Sequence, residues 1–112
     1  MSKQSNRAYS PYCRDAVELL GKIIRRARIE KKLTTQELAD RAGISRGLLR
    51  RIETGDPQCA IGSTFEVATI VGVQLFDADQ SALTRSIENQ DAVLSLLPKA
   101  VQHPNLKVED DF

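Results

Sequence analysis

Residues 33–55 constrain this chain more than any other stretch, because they carry the same helix-start signal twice. Thr34 followed by Glu37 reads as an S/T-x-x-E capping box, and Leu33 and Leu38 occupy the N′ and N4 places of a hydrophobic staple. Ser45 repeats the device as an N-cap, with Ile44 and Leu49 as its staple pair. Gly43 supplies the left-handed residue that ends the first helix, leaving about three residues for the turn. The expected result is two short helices meeting across a tight corner.

The second of these helices divides sharply around its axis. On a wheel of about 100° per residue, Arg46, Arg50, Thr54, Gly47 and Arg51 fall within roughly 140° of arc, whereas Leu48, Ile52 and Leu49 fill about 200° to 300°. The apolar side is a core stripe, and the other side carries three arginines around a glycine. A guanidinium makes paired hydrogen bonds to guanine O6 and N7 and also binds phosphate, so this face suits the major groove of duplex DNA. Gly47 costs roughly 1 kcal/mol of helix propensity against alanine, and its missing side chain lets backbone come close to bases. The plainer alternative is a solvated basic face on an ordinary helical hairpin. Caps, staples, turn and arginine face all agree against it.

At 112 residues the chain is long enough for one modest core with extensions and too short for two, and an all-helical bundle fits best. An aromatic content of 4% is low for a protein that stacks single-stranded bases, which favours duplex reading. The net charge of +1 conceals a division. Residues 1–55 hold 13 Lys/Arg against 6 Asp/Glu, a balance of +7, and residues 56–112 hold 3 against 9, a balance of −6. The first half suits a polyanion; the acidic second half repels non-specific DNA, meets a basic protein partner, or is simply solvated. No apolar run approaches the roughly 18 residues of a membrane span, and the polar residues 1–7 are not followed by a signal-peptide core, so no membrane partner and a cytoplasmic location are expected. No phosphate loop, Ser/His/Asp set or Cys/His pair points to catalysis, so neither enzymatic activity nor a cofactor is expected. No metal site is expected either: His103 stands alone, and Glu109, Asp110 and Asp111 lack the pattern of a calcium loop. Cys13 and Cys59 read as packing residues, with a Cys59 thiolate beside a helix start as the redox-sensing alternative.

Four segments follow along the chain. Residues 1–9 are basic and polar, with nothing to bury, and read as a flexible arm. Residues 10–78 are expected to form a helix-turn-helix DNA-binding domain. Within it, Cys13, Ala16, Val17, Leu20, Ile23, Ile24 and Ala27 predict a long helix from about Pro11 to Lys32, whose outer Lys22, Arg25 and Arg26 are basic or merely solvated. After the Asp56-Pro57 turn, a fourth helix is expected with Ile61, Phe65, Ala68 and Val71 as its core stripe, Val67 and Ile70 alongside, and Gly72 as its end. With Ala60 in the N-cap place, the free amides around Ile61, Gly62 and Ser63 offer a phosphate site, as do those at Thr35 and Gln36. Val73, Leu75 and Phe76 should dock beneath the preceding helices. Residues 79–97 predict a fifth helix capped by Asp77 or Asp79, in which Leu83, Ile87, Gln90, Leu94 and Leu97 make a heptad-like seam. That seam joins two chains or packs on the first helix of its own. Residues 98–112 read as a flexible acidic tail.

These residues resemble the lambda-repressor/Cro type of helix-turn-helix, the XRE family, over about residues 20–76. The resemblance rests on Gln36-Glu37-Leu38-Ala39, Ala42-Gly43-Ile44-Ser45, Leu49, Ile52, Glu53 and Gly55. It implies an all-α, five-helix lambda-repressor-like domain, here with an extended first helix. It also implies a buried ion pair between Arg28 and Glu53, base-facing positions at Arg46, Gly47 and Arg51, a phosphate clamp at Thr35 and Gln36, and a phosphate role for Arg50. A narrower likeness, in Gly55-Asp56-Pro57, residues 61–67 and Val108 to Phe112, is to HipB-like regulators paired with HipA-type kinase toxins. It implies an autorepressor and antitoxin that binds a palindromic operator as a homodimer, with a HipA-like kinase as partner. A phage-type or stand-alone repressor without a toxin is the alternative. Some HipB-like members pair through a C-terminal β-strand, and no strand is legible here.

Overall fold

Both doubled caps form. In the computed structural model, which describes residues 8–104, the described residues build five α-helices and no strand. They are α1 (Pro11–Glu30), α2 (Thr35–Ala42), α3 (Arg46–Glu53), α4 (Ile61–Ile70) and α5 (Gln80–Ser95). At the start of α2 the Glu37 N–H donates to Thr34 Oγ1 at 3.0 Å and the Thr34 N–H to Glu37 Oε1 at 2.8 Å, the reciprocal box. Ser45 Oγ accepts from the Leu48 N–H at 3.0 Å, and Gly43 sits at φ 70°. Gly43, Ile44 and Ser45 are therefore the whole turn.

The first helix begins at the Ser10 cap, whose Oγ accepts from the Cys13 N–H at 3.1 Å, and it stops sooner than periodicity alone suggests. Lys32 takes a left-handed φ of 61°, a conformation that costs an L-residue about 1–2 kcal/mol. The turn is closed by two bonds, Leu33 N–H to the Arg28 carbonyl at 3.1 Å and Lys32 N–H to the Ile29 carbonyl at 2.9 Å, a Schellman pattern with lysine in the place glycine usually takes. The expected arm also ends earlier. Tyr9 is half-buried and its hydroxyl accepts from Gln58 Nε2 at 2.8 Å, so it belongs to the folded domain; residues 1–7 of the arm lie outside the described residues.

Ile24, Leu38, Leu49 and Val67 are fully buried, one from each of α1 to α4, and Ala39, Ile52, Ala68 and Val71 complete the core around them. Helix α2 packs on α3 and α4, and α1 packs on α3. Three expected core residues fall outside. Ala16 and Ile23 are exposed, because the buried face of α1 narrows to Gly21, Ile24 and Arg28. Ile61 is 74% exposed, because it opens α4 before that helix reaches the core. Val73 and Leu75 dock as expected, whereas Phe76 is exposed and stacks on Phe65 with ring centroids 6.1 Å apart.

Helices α1 and α3 approach each other backbone to backbone. A Cβ on Gly21 would lie 2.5 Å from the Ile52 carbonyl oxygen and 2.8 Å from that of Glu53. Gly55, at φ 83°, would meet the Glu18 Cα at 2.8 Å in the same way. Two glycines, one on each side, let α1 and the end of α3 touch.

A second unit begins at Asp77, two residues before the boundary expected from sequence. Asp79, not Asp77, caps α5: its Oδ1 accepts from the Ala82 N–H at 2.9 Å. Helix α5 ends at Ser95, so Leu97 lies past it, and no residue of α5 is buried. Residues 105–112 of the expected acidic tail lie outside the described residues.

Substituting Gly21 by Ala should cost at least the roughly 1–3 kcal/mol typical of overpacking, since the obstructing atoms are backbone. The matching change at Gly62, where a Cβ meets nothing within 4 Å, should be neutral or stabilise by up to about 1 kcal/mol. Urea unfolding of both variants checks this, and equal midpoints would show that α1 and α3 have room between them.

Candidate nucleic-acid interface

Helix α3 is held from behind by Leu49, Ile52 and the buried carboxylate of Glu53. Arg28 meets that carboxylate with two bonds, Nε to Oε2 at 2.7 Å and Nη2 to Oε1 at 3.0 Å, and its Nη1 donates to the Leu33 carbonyl at 2.9 Å. Glu53 raises the pKa of the Arg28 guanidinium through these hydrogen bonds, against the opposing effect of burial. The pair inferred from resemblance is therefore present and buried.

The opposite face of α3 is exposed at Arg46, Gly47, Arg50 and Arg51. Arg46 and Arg50 have no ion pair among the described residues, whereas Arg51 Nε donates to Asp56 Oδ2 at 2.9 Å. Three outer cations of α1 are partnered: Lys22 with Glu18 at 3.4 Å, Arg26 with Glu30 at 3.0 Å, and Arg25 near Glu53 at 4.0 Å. That favours the solvated reading of the α1 face and sets α3 apart. At Gly47 a Cβ would meet only Ser45 Oγ, at 3.9 Å, so nothing in the fold demands glycine there.

Two helix starts carry the other candidate contacts. At α2 the box occupies the Thr34 and Glu37 amides, leaving those of Thr35 and Gln36 without intrahelical acceptors; the Gln36 side chain donates to Asp40 Oδ1 at 2.8 Å. At α4 Ala60 provides no side-chain cap, and the first amide to bond back is Thr64, to the Ala60 carbonyl at 3.2 Å. The amides of Ile61, Gly62 and Ser63 remain available to an anion.

Sequence reasoning missed the partner of Arg51. Asp56 reads from sequence as a turn former before Pro57, and the only available signal was an acid five residues after an arginine at a helix end. Its carboxyl is held below the ordinary aspartate range, first by the Gln58 backbone N–H at 2.8 Å and then by Arg51. The Cys59 thiol goes the other way, pushed up by burial and by Asp56 despite Arg51, so the thiolate needed for redox sensing is disfavoured. Cys59 instead packs against the core, and both cysteines are free. Among the described residues no cluster of His, Cys, Asp and Glu could hold a metal, and no helix is long and apolar enough to cross a membrane.

Two short helices across a three-residue turn, with an arginine face on the second, define a DNA-binding regulator of the helix-turn-helix class. The chain belongs to the helix-turn-helix domain family whose model matches residues 19–74, a span that takes in α1 from its middle and all of α2 to α4. Neither a curated protein nor a solved structure matches it.

Truncating Arg28 to Ala should destabilise the domain by about 3–5 kcal/mol, because the buried Glu53 carboxylate loses its bidentate partner and keeps only the exposed Arg25 guanidinium at 4.0 Å. Replacing both residues by apolar ones of similar size should cost much less. Denaturant titrations of the single and double variants decide it; a single variant as stable as the parent would contradict the burial of the pair.

Proposed function

We propose that this protein is a sequence-specific repressor that binds a palindromic operator as a homodimer, with α3 lying in the major groove of double-stranded DNA. The observation that carries this reading is the face of α3, where Arg46 and Arg50 are unpaired and Gly47 bares the backbone without any need of the fold. Arg46, Gly47 and Arg51 meet base edges. Arg50, with the helix starts at Thr35, Gln36, Gly62 and Ser63, meets phosphates and sets the register. One such head covers a half-site, so two-fold pairing supplies the rest of the affinity. The line of Leu83, Ile87 and Leu94 on α5 supports that pairing, since α5 buries none of its residues; Leu97, past the end of the helix, extends the line only as a flank.

The reading extends to a HipBA-like type II toxin-antitoxin module, in which the chain acts as antitoxin and autorepressor and a HipA-like kinase is its partner. Support comes from the balance of −6 over residues 56–112 and from the HipB-like resemblance, part of which, from Val108 to Phe112, lies outside the described residues. The alternative is a phage-type or stand-alone repressor without a toxin.

Binding should be specific, require a palindrome with half-site centres about one helical turn apart, and weaken by about a thousandfold between 50 and 200 mM salt if six or more phosphates are neutralised. Arg46→Ala should lose roughly 1–3 kcal/mol of discrimination at one base pair, whereas Arg50→Ala should weaken all duplexes alike. Gly47→Ala should melt higher yet bind less tightly. Titrations against randomised and palindromic duplexes check these outcomes, and equal affinity for every duplex would refute the reading.

The antitoxin role has its own measurement. Removing residues 99–112 should leave DNA binding largely intact and weaken neutralisation of a kinase toxin encoded beside it. Full protection of cells by the shortened protein would place the partner surface elsewhere.

A further inference from the structure

We infer that Asp56 is a positioning residue for base reading: it grips Arg51 by Nε so that the two terminal nitrogens of the guanidinium face a single guanine as a fixed fork. The inference rests on the reading of α3 as the DNA-reading helix.

A guanidinium carries one N–H on Nε and two on each Nη, and a guanine edge needs two parallel donors. Asp56 takes the Nε donor, at 2.9 Å from Oδ2, and the side chain of Arg51 remains 53% exposed, so the end-on pair of Nη groups is left for a ligand. Arg46 and Arg50 have no such partner and must lose their rotamer freedom on binding, whereas Arg51 has already lost much of it.

The support is itself fixed at each step. The second oxygen of Asp56 accepts the Gln58 backbone N–H at 2.8 Å, so the carboxylate cannot turn toward Arg51 with both oxygens. The Asp56 N–H bonds the Arg51 carbonyl at 3.0 Å, and the Gln58 side chain donates to the Tyr9 hydroxyl at 2.8 Å, tying the turn to the residues ahead of α1. A first shell locked by a second is what a specificity contact requires. An acid beside a DNA-facing arginine has one competing role, that of neutralising it. The two roles differ in sign: a neutraliser lowers affinity for every duplex, and a positioner raises discrimination at one base pair.

The test uses the full chain and four proteins: the parent, Arg51→Ala, Asp56→Asn and the double variant. The asparagine keeps a carbonyl for the Gln58 N–H and turns an NH₂ toward Arg51, donor against donor, so the turn survives while the grip is lost. Asp56→Ala serves as a second variant, and thermal melts establish that each is folded. Selection from randomised duplexes, followed by titration against the best site and its single-base variants, gives the preference at each position. At the base pair that Arg51→Ala flattens, Asp56→Asn should lower discrimination by about tenfold. Preferences elsewhere should stay, non-specific affinity should be unchanged or higher, and the double variant should match Arg51→Ala. Full preference retained at that base pair would overturn the inference, as would a uniform rise in affinity with preferences intact, or an Arg51→Ala variant with the parent's preferences. A parent with no base preference would overturn the reading of α3 itself, a result visible before any variant is compared.

Discussion

The first three helices are oriented by the three hydrogen bonds of the Arg28 guanidinium. Two go to the buried Glu53 carboxylate at the end of α3 and one to the Leu33 carbonyl in the turn that launches α2. One planar group thus fixes α1, the α1–α2 turn and α3 to each other. Taking two charges out of water costs several kcal/mol per ion. The cost is offset here because donors and acceptors are matched in a bidentate fork and the remaining terminal nitrogen is also used. The pair specifies an angle as much as it stabilises a fold, since a bidentate fork holds only while the end of α3 keeps its place against α1.

The glycine contacts complete that constraint from the backbone side. Gly21 and Gly55 remove the side chains that would otherwise hold α1 and α3 apart, and the ion pair then forms beside a contact with no slack. Leu49 and Ile52 fill the adjoining core, so the far face of α3 is left to whatever its arginines can bind.

What was legible in the sequence was local. Thr34, Glu37, Ser45 and Gly43 act within a few residues of themselves, and their caps and turn formed where their spacing put them. The arginine face followed from helix geometry alone. The role of Gly21 was not legible, because a glycine inside a helical pattern gives no hint of which distant backbone will approach it. Asp56 was hidden by its neighbour Pro57, which explains a turn so well that a second role for the carboxylate goes unasked. Ile61 and Leu97 failed for another reason: apolar periodicity gives the face of a helix but not where the helix begins to touch the core or where it stops.

A helix seated backbone on backbone has no rotamer left to change at its pivot. In most helix pairs a few side chains between the axes can repack and let one helix swivel by some degrees; between Gly21 and the Ile52 and Glu53 carbonyls there is nothing to repack. If α3 reads DNA as proposed, the shape it presents is set before the encounter, and the adjustment needed for a close fit falls on the duplex. Base steps differ in how readily they bend and twist, so on the proposed reading of α3, sequences would be ranked partly by their stiffness, at positions that no side chain reaches.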